Sequence, residues 1–260
     1  MRSLARPADD SEQMDAIDLD PATYAAILTD LAKVNRWTFA ARPTIGFVAR
    51  AIGDRRRFTL LDVGFGDGDQ LRAIAHWAEQ RGIEARLTGV DLNPKSAPVA
   101  QAATPGRFAI DYVTGDYLDL VDRDFDLIVS SLVAHHMHRD ELLSFLRTME
   151  ARARIGWQIN DLHRHRLAYH GFPLLCRVMG WHRIVREDGQ LSIARAFRPA
   201  EWRPLLARPV STTPPASGAA SPSGYASSGC ADRGRRAGGF GRRSAARAGR
   251  REAGADRAQP

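Results

Sequence analysis

"LLDVGFGDGDQL", residues Leu60 to Leu71, decides how the rest of the chain is read. An apolar run ends at Gly64, glycines recur at Gly66 and Gly68, and an amphipathic stretch follows. A strand that ends in a glycine turn and feeds a helix is the ligand-binding corner of an open α/β sheet. Such loops usually cradle phosphate, and dinucleotide binding needs the spacing G-x-G-x-x-G. Here the spacing is G-x-G-x-G, and Asp69 falls where the third glycine would stand. Asp67 and Asp69 lie where a pyrophosphate would approach the helix N-terminus, and like charges in a partly desolvated corner are unfavourable. A ligand with positive charge and no phosphate removes the conflict. The two aspartates also suit a helix start on their own account, as caps and dipole partners.

Outward from this loop the chain alternates. RFTLLDVG reads as a buried strand, and DGDQLRAIAHWAEQRG as a helix with Leu71, Ile74, Ala75 and Ala78 on one face and Gly82 as its stop. RLTGVDL, FAIDYVTGD, FDLIVSSLVA and GWQIND read as further strands. PKSAPVAQAA is a weak helix interrupted by Pro98, and RDELLSFLRTMEARAR is an amphipathic one. Strand and helix alternating at this spacing predict βαβ units, hence a parallel sheet with helices on both faces. PATYAAILTDLAKVNRW and the stretch near TIGFVARAIG predict helices that form an N-terminal cap. RLAYHGFPLLCRVMGW and PAEWRPLLA predict helices downstream.

Charge is spread unevenly. The chain of 260 residues has a net charge of +7, but residues 209–260 hold nine Arg against three acidic residues. The rest carries 28 basic and 27 acidic groups, so the high isoelectric point belongs to one segment and not to a domain surface. That removes the charge argument for a nucleic-acid partner. The same segment has no Leu, Ile or Met and is mostly Ala, Gly, Ser, Pro and Arg, a composition that predicts disorder. No apolar run is long enough for a membrane span. MRSLARPADDSEQ lacks the apolar stretch of a secretory signal, so the expected compartment is the cytoplasm. Cys176 and Cys230 make no framework or metal pattern, and Cys176 in FPLLCRVM reads as a buried thiol. No pair of histidines has metal-ligand spacing, and no metal is expected. The organisation expected is a disordered N-terminus (1–13), a helical cap (14–56), a catalytic domain (57–208) and the basic segment (209–260).

Four motifs stand in register between about Arg57 and Asp161: LLDVGFGDG, the acidic strand end LTGVDLNP, YVTGDYLDL and FDLIVSSLVAHHM. Together they resemble class I S-adenosylmethionine-dependent methyltransferases. The wider pattern, with EQMDAIDLDP and LAKVNR before and VREDGQLSIARAFRPAEW after, is similar to the ubiquinone-methyltransferase-like enzymes that accompany polyketide synthases. The resemblance implies a Rossmann-like fold and S-adenosylmethionine as cofactor, a ligand with a sulfonium, an ammonium and no phosphate. It also implies a small-molecule substrate, phenolic, quinone or polyketide-like, methylated by in-line transfer. A degenerate, non-catalytic relative with a truncated fold is the alternative. The family sheet ends with two antiparallel strands after the helix PAEWRPLLA. Here the basic segment follows instead, as a shift of reading frame in a GC-rich gene would produce.

Asp91 ends the second strand 23 residues after Gly68, where a carboxylate accepts hydrogen bonds from ribose hydroxyls. Gly64 and Gly66 let the backbone pass close to the cofactor, and Gly68 allows tight helix packing. By the resemblance, Asp62 faces the amino-acid end of the cofactor, Asp116 binds the adenine amino group, Tyr117 flanks the ring and Leu92 packs on its face. His135 and His136 follow the fourth strand, at the sheet edge where substrate should sit. Either is a candidate general base, or a histidine that only packs. His163, His165 and His170 read as a solvated basic face. Ser130-Ser131-Leu132-Val133 stands where amine methylases of DNA bases have an Asp/Asn-Pro-Pro-aromatic motif, and neither cysteine follows a proline. Both points favour a small molecule.

Overall fold

The computed structural model describes residues 3–16, 18–120, 122–207 and 229–231. Five parallel strands form the sheet: β1 (Arg57–Val63), β2 (Glu84–Asp91), β3 (Ile110–Thr114), β4 (Leu127–Ser131) and β5 (Gly156–Asp161). The strand order is β3-β2-β1-β4-β5, with β6 (Gly229–Ala231) antiparallel at the β5 edge. In register, Leu60 of β1 lies beside Leu87 on one side and Leu127 on the other. The helices are α1 (Pro21–Trp37), α2 (Ala41–Ile52), α3 (Asp69–Glu79), α4 (Ser96–Ala103), α5 (Arg139–Arg152), α6 (Arg166–Met179), α7 (Arg183–Arg195) and α8 (Pro199–Leu206).

The period of two along β1 sends successive side chains to opposite faces. Leu60 joins Phe47, Val48, Phe58, Leu71 and Ile74 in a core under α2, α3 and α4. Leu61 and Val63 join Phe145, Met149, Trp157 and Trp202 under α5 and α8. A third cluster, including Met14, Tyr24, Ile27, Trp181 and Val185, unites the N-terminal segment with α1, α6 and α7. Pro98 falls in the first turn of α4, where a missing N–H is tolerated.

Three expectations need correction. Residues 1–13 were expected to be disordered, yet Leu4 and Glu12 are buried and the Ala8 amide donates to the Ala194 carbonyl (3.0 Å). The reason is tertiary: the buried Arg164 guanidinium donates to the Leu4 carbonyl (3.0 Å), and Arg198 reaches the same oxygen (2.7 Å). The cap was expected to take in both N-terminal helices, but α2 lies in the core beneath the sheet. Helix α7 was not foreseen, because Gly189 and a polar run blur its period; a Cβ on Gly189 would overlap the Phe172 ring of α6. The disorder expected for 209–260 lies outside the described residues, apart from Gly229–Ala231. That short antiparallel strand stands at the edge where the resemblance calls for two. No helix among the described residues is long and apolar enough to cross a membrane.

Candidate active site

The strand order reverses between β1 and β4, and the loops leaving these two strands part to open a crevice there. A cavity of about 410 Å³ occupies it, within the range of small-molecule sites. Its floor is the β1–α3 loop with Asp91 at the end of β2, and Ser131 and Leu132 after β4 form one side. Its roof is apolar, from Leu28 and Val34 of α1, Phe172 and Leu175 of α6 and Ile193 of α7.

The loop takes the cavity-facing shape because three glycines adopt left-handed backbone, with φ of 78° at Gly64, 56° at Gly66 and 76° at Gly68. A Cβ on Gly64 would overlap Val133 after β4, and one on Gly68 would overlap the Tyr112 hydroxyl of β3. Gly64 and Gly66 line the cavity, whereas Gly68 turns the chain into α3 against Tyr112. Leu132 is a non-glycine residue with φ of 74°, held by its amide to the Asn160 carbonyl (3.0 Å). Left-handed strain at such a residue persists where its surroundings over-determine it.

The acidic character of the loop resolves into two parts. Asp67 is matched by Arg72 at 2.7 Å, whose guanidinium also donates to the Asp67 carbonyl. That pairing follows from an arginine one turn into the helix, a signal the sequence contains. Asp62, Asp69 and Asp91 remain, all lining the cavity. Asp62 accepts from the Gln70 amide (3.2 Å) and is pushed up to about 8, by burial first and then by the charge of Asp69. Asp69, the first residue of α3, accepts from the Gln70 backbone N–H (2.8 Å) and is likewise raised, by burial and then by Asp67. Asp91 accepts from the amides of Gly66 and Asn93 (each 2.9 Å), and burial still pushes it up to about 6. Each carboxylate is thus held in a place that resists its negative charge, and a cation in the cavity would reverse that.

Leu92, Asp116 and Tyr117 do not line this cavity. They follow β2 and β3, which lie side by side with Asp91 opposite Thr114. Leu92 is exposed. Asp116 accepts from the Leu118 amide (2.9 Å) and caps a short turn, and Tyr117 stacks edge-on against Phe145 of α5. His135 and His136 lie outside the lining as well. Both are buried in a polar cluster with Asp161 and with Glu12 of the N-terminal segment, a partner that no local pattern announces. Burial pushes Glu12 up to about 7, against its contacts with His136 and Ser192. Sequence reasoning also missed Gln70, Leu132 and the α1 residue Asn35, which bonds Asp69.

An open parallel sheet with a glycine loop and a cavity at its point of reversal defines a Rossmann-like α/β protein with its ligand site at that reversal. Residues 61–154, built around this loop, match a methyltransferase domain. Among solved structures it is similar to the plantazolicin methyltransferase BpumL in complex with SAH, at 14% identity and a TM-score of 0.53, over 73% of this chain and 69% of that one. It is also similar to the plantazolicin methyltransferase BamL in complex with SAH and a triazolic desmethylPZN analog, at 13% identity and a TM-score of 0.52, over 69% of this chain and 65% of that one. At such identities the likeness is one of fold, and the chain spans about two thirds of the length of those structures. No curated protein matches.

Proposed function

We propose that this chain transfers the methyl group of S-adenosylmethionine to a small apolar or aromatic molecule of phenolic, quinone or polyketide-like type. The observation that carries the reading is the cavity at the β1–β4 reversal, whose acidic floor of Asp62, Asp69 and Asp91 faces an apolar roof. S-adenosylmethionine supplies a methyl group on positive sulfur, open to in-line displacement by a substrate oxygen, nitrogen or carbon.

Asp91 already accepts from two amides and from the Ser96 side chain, and its remaining lone pair can take a ribose hydroxyl. Asp62 and Asp69 meet the cationic end, and Gly64 and Gly66 leave backbone open beside it. Leu92, Asp116 and Tyr117, on the neighbouring strand ends, take the adenine. Leu132, Phe172 and Ile193 shape the place for the acceptor and exclude water. Placement of the two reactants alone is worth roughly 7–11 kcal/mol. Neither His135 nor His136 lines the cavity, so in this reading the acceptor is one acidic enough to ionise unaided, such as an electron-poor phenol.

Calorimetric titration with S-adenosylhomocysteine, S-adenosylmethionine and NADH tests the cofactor, and a methyl-transfer screen over phenols and quinones tests the acceptor. Micromolar binding of the first two is expected. Binding of NADH in their place would overturn the proposal.

A further inference from the structure

Behind the cavity wall lies a second polar cluster that methyl transfer does not use. Its members are Glu12 and Asp15 of the N-terminal segment, His135 and His136 in the turn after β4, Asp161 at the end of β5 and Ser192 of α7. Glu12, His135, His136, Asp161 and Ser192 are all buried. The donor atoms of Glu12, His135 and His136 lie within 4.8 Å of one another. His136 Nε2 is 3.1 Å and His135 Nε2 3.9 Å from Glu12 Oε1. Two donors bound to one tetrahedral ion at about 2.1 Å stand about 3.4 Å apart, and the two observed spacings straddle that value.

The other nitrogen of each ring is turned to a carboxylate. His135 Nδ1 is 2.6 Å from Asp161 Oδ1, and His136 Nδ1 is 3.4 Å from Asp15 Oδ2. In metal centres a ligating imidazole characteristically gives its second N–H to a carboxylate or carbonyl, which fixes the tautomer and the ring plane. His135 follows that pattern, His136 Nδ1 faces Asp15 at ion-pair distance, and both Nε2 atoms converge on Glu12. Glu12 Oε2 and Asp161 Oδ2 are buried with no hydrogen-bond partner.

We propose that Glu12, His135 and His136 bind one divalent transition-metal ion, with Asp161 and Asp15 orienting the two imidazoles. Two imidazoles and a carboxylate suit zinc or a neighbouring first-row ion and not magnesium or calcium. Ser192 lines the cavity and donates to Glu12 Oε1 (2.7 Å), so the ion sits one side chain behind the cavity surface. Its role is to fasten the N-terminal segment, with cavity-lining Met14, onto the ends of β4 and β5. The proposal stands apart from methyl transfer and from any cofactor.

The full chain, stripped with a chelator and checked by circular dichroism, would be dialysed against micromolar zinc and analysed for bound metal. One zinc per chain is expected, with a rise in Tm of roughly 5–10 °C at a hundredfold excess over Kd. Cobalt in place of zinc should give visible d–d absorption of an imidazole- and carboxylate-bound ion. Glu12→Gln, nearly isosteric, and His136→Gln should lose the equivalent, the Tm rise and the absorption. Zinc bound equally by wild type and both variants, or no zinc bound by the folded wild type, would overturn the proposal and leave a proton-sharing cluster.

Discussion

At the scale of single residues, the site trades stability for ligand charge. Burial, with the charge of Asp69, pushes Asp62 up to about 8 in the folded chain, from 3.8 when solvated. The folded state therefore holds a proton that the unfolded state gives up, and this group makes the ligand-free protein less stable as pH rises from about 4 to about 8. Asp62→Asn should flatten that decline in a Tm-against-pH series. It should also weaken S-adenosylmethionine binding roughly ten- to a hundredfold, the worth of a charge-assisted contact. A variant that loses neither property would remove Asp62 from the site. Gly64→Ala is expected to destabilise the chain by at least about 2 kcal/mol, because the alanine meets both a left-handed φ and the Val133 methyl. Adding Val133→Ala should recover part of the loss and not all, since the backbone strain stays; denaturant titration of the single and double variants measures it.

At the scale of elements, the corner β1–loop–α3 was legible because every signal in it is local. An apolar run, three glycines and an apolar period of 3.6 lie within about twenty residues, and each acts on its own neighbours. The same holds for α5, with its apolar face toward β5. Helix α7 was illegible because Gly189 is there for Phe172, a residue of another helix. The joint between the N-terminal segment, α7 and α8 was equally hidden. Arg164, fully buried, donates to the Ala196 carbonyl (2.5 Å), the Leu4 carbonyl and Glu201 (2.6 Å). Arg164→Met would leave the buried Ala196 carbonyl unpaired and break the ion pair with Glu201, with Leu4 still held by Arg198, and about 2–3 kcal/mol of stability should be lost in urea unfolding. An unchanged midpoint would mean that the segment is not fastened there.

At the scale of the whole molecule, two apolar clusters cover the two faces of one sheet, and a third, of helices and the N-terminal segment, closes the cavity from above. Deleting residues 1–15 removes the buried Leu4 and Met14, each worth about 1.5–3 kcal/mol. The shortened chain should melt at lower temperature and bind S-adenosylhomocysteine more weakly, because Met14 lines the cavity. Scanning calorimetry with and without the ligand separates the two effects. Equal affinity in both chains would show that the segment only covers the core.

The sequence by itself determined the α/β class, the glycine corner, Asp91 at the end of its strand, and the place of Cys176 in the interior. Spacing along one strand or helix is enough for each of these, since period and turn chemistry are properties of adjacent residues. Only the tertiary structure decided that the two histidines lie outside the cavity lining, beside Glu12. It also decided that residues near the N-terminus form part of the cavity wall. Burial and charge pairing between segments more than a hundred residues apart are settled by how the layers pack, and no local period records that.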